Sequence, residues 1–149
     1  MIALQPLSQA LQQGREIYAV IRGSAVNHDG LSNGLTAPNV DSQIALIRSA
    51  LDTAGLSPDQ IDYVEAHGTG TPLGDPTEVR ALAQVFPSAA PRALGGVKAN
   101  AGHLEPAAGI GSSARRRNQL GYDARRSPER RIGAAAARLA ARAEARAAA

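Results

Sequence analysis

The stretch VEAHGTGTPLGDPTE, residues 64–78, ends a short apolar run on one histidine, His67, and passes at once into glycines and threonines. It then offers a helix entry at Asp75-Pro76-Thr77-Glu78: an Asp positioned to be the N-cap, Pro at the first helical position and Glu at the third. Strand, polar turn, helix is the grammar of an α/β fold. The rest of the chain follows from testing that grammar outward.

Downstream of this stretch, Val79, Leu82, Ala83 and Phe86 are expected to form the buried stripe of the helix. RALGGVKAN (92–100) reads as a further strand with a glycine interruption, and HLEPAAGIG after it suits a tightly packed helix start. Upstream, Val40, Ile44, Ile47, Leu51 and Ala54 recur at three and four residues, which places them on one helix face with Gly55 as the stop. EIYAVIRGSAV (16–26) is rich in β-branched residues and bounded by Gly14 and the NHDG turn, so it is expected to be a strand. HDGLSNGLTAPN (28–39) reads as an ordered loop. Strands alternating with helices predict an α/β fold with helices covering a sheet.

Composition bounds the core and the chemistry. Among 149 residues there are one Phe, one Met and no Trp, so alanine supplies much of the apolar count and buries little area per residue. The chain holds no Cys, which excludes disulfides, thiolate metal sites and a cysteine nucleophile from within it. No apolar run reaches the roughly eighteen residues of a membrane span, and the first residues lack a secretory pattern. The expectation is a soluble, cytoplasmic chain.

The net charge of +3 conceals a division. Residues 1–114 hold 6 Lys+Arg against 10 Asp+Glu, a net of −4, whereas residues 115–149 hold 10 Arg against 3 acids, a net of +7. The segment 114–149 is Ala/Arg-rich and lacks apolar periodicity, so it is expected to be a disordered or partly helical tail after a domain over 1–113. The abrupt switch is of the kind a shifted reading frame in a GC-rich gene produces. Tyr122 is the tail's only aromatic residue. Nucleic-acid binding is therefore not expected beyond non-specific, salt-sensitive contact.

His67 and His103 both follow strand candidates and both sit among glycines, with Lys98 five residues before His103. A lone histidine in such a loop can simply satisfy a buried backbone group. Two at the ends of two strands can converge where α/β folds place ligands. Two neutral imidazoles donating to one oxygen make an oxyanion site, and a nearby ammonium opposes a positive charge on either ring. The hydroxyls of Thr69 and Thr71 can bond to a polar ligand chain. His28 has no such context and reads as a surface loop residue. The spacings of the three histidines do not suggest a metal site, Asp75 and Glu78 read as capping residues, and no phosphate-loop pattern is present.

Three segments, IYAVIRGSAVNHDGLSNGLTAPN, VEAHGTGTPLGDPTEV and GGVKANAGHLEPAAGI, resemble in order the motifs of the ketosynthase domain of modular type I polyketide synthases, within the β-ketoacyl synthase family. The resemblance runs from about residue 3 to about residue 111. It implies a partial thiolase-type fold, part of the second half of an αβαβα arrangement that is usually dimeric. The implied reaction is decarboxylative Claisen condensation between an acyl-cysteine and a malonyl-type unit on acyl carrier protein.

By the same resemblance His67 matches the histidine of HGTGT and His103 that of KxNxGH, the pair that assists decarboxylation and stabilises the enolate oxygen. Lys98 matches the lysine supporting them. Thr69 and Thr71 match positions that contact the phosphopantetheine arm, which the carrier substrate presents, so no cofactor bound directly by the chain is implied.

The family's nucleophilic cysteine is expected upstream of Met1, and its GFGG-type loop has no counterpart here. IALQPLSQAL (2–11) resembles the end of a core strand and its following loop. The expected partners are acyl carrier protein and a complementary ketosynthase half or homodimer mate. The resemblance implies a chain inactive alone. The alternative is a non-catalytic module that binds acyl carrier protein or a complementary half-domain.

Overall fold

The computed structural model describes residues 2–29, 38–86 and 92–113; the expected tail at 114–149 and most of the loop at 28–39 lie outside them. The chain divides into two compact units, one of Met1–Val20 with Gly109–Ala149 and one of Ile21–Ala108.

In the first unit, helix α1 spans Leu7–Gln12 and buries Ala10. Gly14, at φ 61, lets the chain close the helix with a paired motif: its N–H donates to the Leu11 carbonyl and the Arg15 N–H to that of Ala10. This corrects the reading of residues 2–11 as a strand end and loop.

The expected strand at 16–26 is also absent: no residue from 16 to 29 joins a sheet ladder among the described residues. Val26 is 96% exposed. β-branched residues favour a strand only where a neighbouring strand and a covering face reward it, and the one described sheet has its two strands elsewhere.

The second unit is built on α2 (Val40–Ala54), β1 (Tyr63–Glu65), α3 (Gly74–Val85), β2 (Ala93–Gly95) and α4 (Lys98–Ala101). Helix α2 forms as its periodicity predicts. Asn39 caps its start by accepting the Asp41 and Ser42 N–H groups, and Gly55 ends it in the left-handed region at φ 61. Ile44, Leu51, Ala81 and Val85 make the core, with Val40, Ile47, Leu56, Ile61 and Phe86 packed around it. Fully burying a side chain such as Ile44 contributes roughly 1.5–3 kcal/mol.

Helix α3 turns a different face inward from the expected one. Thr77, Ala81 and Val85 are buried, Leu82 and Phe86 are half-buried, and Val79 and Ala83 are exposed. A small residue at the crossing is what the packing selects: Ala81 is wholly buried, and Thr77 satisfies its hydroxyl by donating to the Leu73 carbonyl at 2.8 Å. The helix begins at Gly74, and Asp75 does not cap it.

The strands β1 and β2 pair in parallel, with Tyr63, Val64 and Glu65 opposite Ala93, Leu94 and Gly95, and α3 is the crossover between them. The strand expected over 92–100 thus ends at Gly95, and Lys98 begins a helical turn. Arg92 fastens the entry to β2: its guanidinium donates to the Ile61 and Pro58 carbonyls at 3.0 Å each and lies 5.3 Å from the centre of the Phe86 ring.

Gly23 lies against the end of α2, where a Cβ would meet the Ala54 nitrogen at 2.6 Å. Arg22 beside it donates to the Ala54 carbonyl. No helix among the described residues is long and apolar enough to cross a membrane.

Candidate active site

Parallel pairing of β1 with β2 puts the carboxyl ends of both strands on one side, and the two conspicuous histidines follow those ends. The Ala66 N–H extends the ladder by donating to the Gly95 carbonyl, and His67 is the next residue. Past β2, the four-residue helix α4 carries Lys98 at its first position. Gly102, at φ 73, turns the chain out of α4 directly before His103.

The two imidazoles meet edge to face, with ring centres 5.6 Å apart and planes at 86°. The Lys98 ammonium donates to the His67 carbonyl at 2.6 Å and stands 3.4 Å from His67 Nδ1. An ammonium has only donors, so the His67 nitrogen facing it is the acceptor, and a neutral ring then carries its proton on Nε2. His103 reaches the same state differently: its Nδ1 accepts the Glu105 N–H at 2.9 Å. Glu105 adopts φ 48, the only left-handed non-glycine residue among the described residues, and so holds a strained conformation at this point. Each ring therefore has its Nδ1 occupied, and among the described residues its Nε2–H meets no acceptor.

The HGTGT loop is held from α3. Glu78 accepts two successive backbone amides, His67 N–H on Oε1 at 2.6 Å and Gly68 N–H on Oε2 at 3.0 Å. Asp75 accepts the Gly70 N–H at 3.1 Å. These two carboxylates brace the loop, where the sequence suggested helix caps; Asp75 turns away from its own helix because the glycine turn brings the Gly70 amide to it. Sequence reading missed this function of Glu78, since an acceptor reaching back eleven residues has no local signature.

Thr69 and Thr71 place their hydroxyl oxygens 3.5 Å apart, and Thr71 also accepts the Gly74 N–H at 3.0 Å. A side chain on Gly74 would strike that hydroxyl at 2.4 Å. The two threonines thus stand together on the loop, Thr69 half-buried and Thr71 exposed. His28 is exposed in its own loop. Among the described residues no three His, Asp or Glu side chains gather as metal ligands. His67 and His103 are both exposed, so the pair lies open to water.

Comparison with known proteins gives this geometry a context. Residues 18–120 match the family described as "Beta-ketoacyl synthase, C-terminal domain". The chain is 55% identical over 116 residues to polyketide synthase ThaG of Burkholderia thailandensis, a match covering 74% of this chain and 2% of that protein. It is likewise 55% identical over 114 residues to polyketide synthase GfsE of Streptomyces halstedii, covering 74% and 3%.

Among solved structures, the ketosynthase from module 6 of the bacillaene synthase from Bacillus subtilis 168 superimposes with a TM-score of 0.75 at 40% identity, over 79% of this chain and 22% of that one. The oxazolomycin ketosynthase domain OzmH KS7 of Streptomyces albus JA3453 gives 0.72 at 41% identity, over 75% and 20%. The chain thus spans a small share of the length of each.

Proposed function

The chain belongs to the β-ketoacyl synthase family, as part of the C-terminal portion of a polyketide-synthase ketosynthase with a partial thiolase-type α/β fold, and we propose that it supplies the decarboxylating, enolate-stabilising side of that site. The observation carrying this reading is that both histidines have Nδ1 engaged, by the Lys98 ammonium and by the Glu105 N–H, which leaves two Nε2–H donors on adjacent rings.

The substrate class is a malonyl-type thioester on the phosphopantetheine arm of acyl carrier protein. When the bond to its carboxylate breaks, carbon dioxide leaves and the electron pair passes to the thioester oxygen. That oxygen becomes an enolate oxygen, and two preorganised N–H donors stabilise it more than they stabilise the starting carbonyl. His67 and His103 are the donors, and Lys98 holds His67. The Thr69 and Thr71 hydroxyls bond the amides of the arm. The enolate carbon then attacks the carbonyl of an acyl-cysteine thioester, forming the carbon–carbon bond as the carbon–sulfur bond breaks and the cysteine thiolate leaves; that cysteine must come from outside these 149 residues because they contain none.

The exposure of both histidines favours a second statement within this reading. An oxyanion site works best with water excluded. The chain alone is therefore inactive or nearly so in condensation, and a complementary ketosynthase half or homodimer mate closes the site. The alternative is a non-catalytic module that holds acyl carrier protein through the threonine loop.

Decarboxylation of malonyl-acyl carrier protein, followed by carbon dioxide release with the full chain and with its His67→Ala and His103→Ala variants, separates the two. Release that falls at least tenfold in each variant supports the catalytic reading. Carrier binding that survives both substitutions, with no release by the wild type, supports the module and sinks the catalytic reading for this chain.

A further inference from the structure

Glu65 has no part in the constellation just described, yet its carboxylate lies between the two strands that carry it. Tyr63 and Glu65 are two residues apart on β1 and share a face. Opposite Glu65 in the parallel register stands Gly95, where a Cβ would collide with the Tyr63 hydroxyl and come within 3.0 Å of Glu65 Oε2. The missing side chain leaves a slot across β2. The Tyr63 hydroxyl and Glu65 Oε2 occupy it, hydrogen-bonded to each other.

The other oxygen, Oε1, accepts the N–H of Val97 at 2.5 Å. Val97 is buried and launches α4: its carbonyl accepts from both Asn100 and Ala101, and Lys98 is the next residue. A lysine side chain is long and flexible, so where its ammonium ends depends on where its Cα is anchored.

We propose that Glu65 is a positioning residue for the Lys98–His67 pair: its carboxylate, held by Tyr63 in the slot over Gly95, fixes the Val97 amide and so the point from which Lys98 reaches His67. The inference rests on the reading of that pair given above. It makes the VEAH segment do two things, with the strand ending in His67 also setting the position of the lysine that orders His67. Reach is the property required, more than charge. Glutamine keeps an oxygen at the same distance for Val97 and offers its amide to the Tyr63 oxygen, whereas aspartate keeps the charge but stops short by about 1.5 Å, one carbon–carbon bond.

The test is the tautomer of His67, read in variants that keep a cooperative melt, with His103, held by the Glu105 N–H, as the internal control for unfolding. The full chain, labelled with 15N, is observed by long-range 1H–15N correlation of its imidazoles, about two pH units above the ordinary histidine value of about 6.5. In the wild type His67 is expected as a single tautomer protonated on Nε2. Lys98→Ala should release it to a mixture, and Glu65→Asp should reproduce that change at His67 while leaving His103, held by Glu105, as it was. Glu65→Gln should keep the wild-type pattern.

A His67 pattern unchanged in Glu65→Asp but mixed in Lys98→Ala overturns this proposal alone. An unchanged pattern in Lys98→Ala, or a mixture already in the wild type, overturns both it and the pairing it rests on. Retention by aspartate with loss by glutamine makes charge the operative property and overturns it as well. If Glu65→Asp loses its cooperative melt, Tyr63→Phe asks the same question from the other end of the slot: a mixed His67 supports the proposal and an unmixed one overturns it.

Discussion

Replacing Glu78 tests whether the HGTGT loop is held by its own sequence or by the helix that follows it. The Glu78 carboxylate accepts the His67 N–H at 2.6 Å and the Gly68 N–H at 3.0 Å. A hydrogen bond to an ionised group contributes roughly 1.5–3 kcal/mol net, and more is lost where the orphaned partner stays dry. Here water reaches the site, since His67 is exposed and Gly68 only half-buried. The low end applies, so the two bonds together contribute about 3 kcal/mol and one alone about 1.5 kcal/mol.

Alanine recovers a few tenths of a kcal/mol through helix propensity, which glutamine does not. Glu78→Gln, keeping one acceptor and turning its NH2 toward the second amide, is therefore expected to lose about 1.5 kcal/mol and Glu78→Ala between 2 and 3, all roughly. Urea denaturation of the full chain measures the sum. Amide hydrogen exchange assigns it, with His67 and Gly68 expected to exchange about tenfold faster in the alanine variant than in the wild type, the factor that ~1.4 kcal/mol represents. Unchanged exchange at both amides in Glu78→Ala would refute the clamp, whatever the denaturation midpoint does.

Three further outcomes follow from the packing. Gly23→Ala must push a Cβ onto α2 backbone that lies 2.6–2.9 Å away, and overpacking against backbone is expected to cost about 1–3 kcal/mol in a denaturation experiment. Asn39→Ala removes the cap that accepts from Asp41 and Ser42 and should cost about 1 kcal/mol, with faster amide exchange confined to the first turn of α2. Asp59 is held below the usual carboxylate range by the Ser57 hydroxyl first and by its own backbone amide second. A carboxyl lowered on folding contributes stability that is present above its unfolded value and is lost as pH falls through its folded one, so melting temperature should decline across that acidic window, and Asp59→Asn should flatten the decline.

What the sequence by itself determined were the features written into neighbouring residues. Helix α2 follows from its own three- and four-residue periodicity and ends at a glycine whose φ of 61 the local pattern demanded. The strand–loop–helix grammar of 64–78 and the second histidine segment led to the expectation that His67, His103 and Lys98 would converge, and their rings and ammonium do lie together. That expectation needed only parallel strands, because parallel strands put both following loops on one side.

What only the tertiary structure decided were closures between distant residues. Residues 16–26 have strand composition, but composition cannot supply the ladder partner and covering face that make a strand. The inward face of α3 is the one that carries Thr77, Ala81 and Val85 at four-residue spacing, with Ala81 and Val85 joined to Ile44 and Leu51 of α2 in the core, and Val79 falls outside it. Asp75, Glu78 and Glu65 carry ordinary local meanings as caps or a polar strand position. Their observed partners, Gly70, the His67–Gly68 pair and Val97, lie 5, 10 or 11, and 32 residues away. A carboxylate accepts whichever amide the folded backbone presents, and that choice is made by chain closure, to which a local pattern has no access.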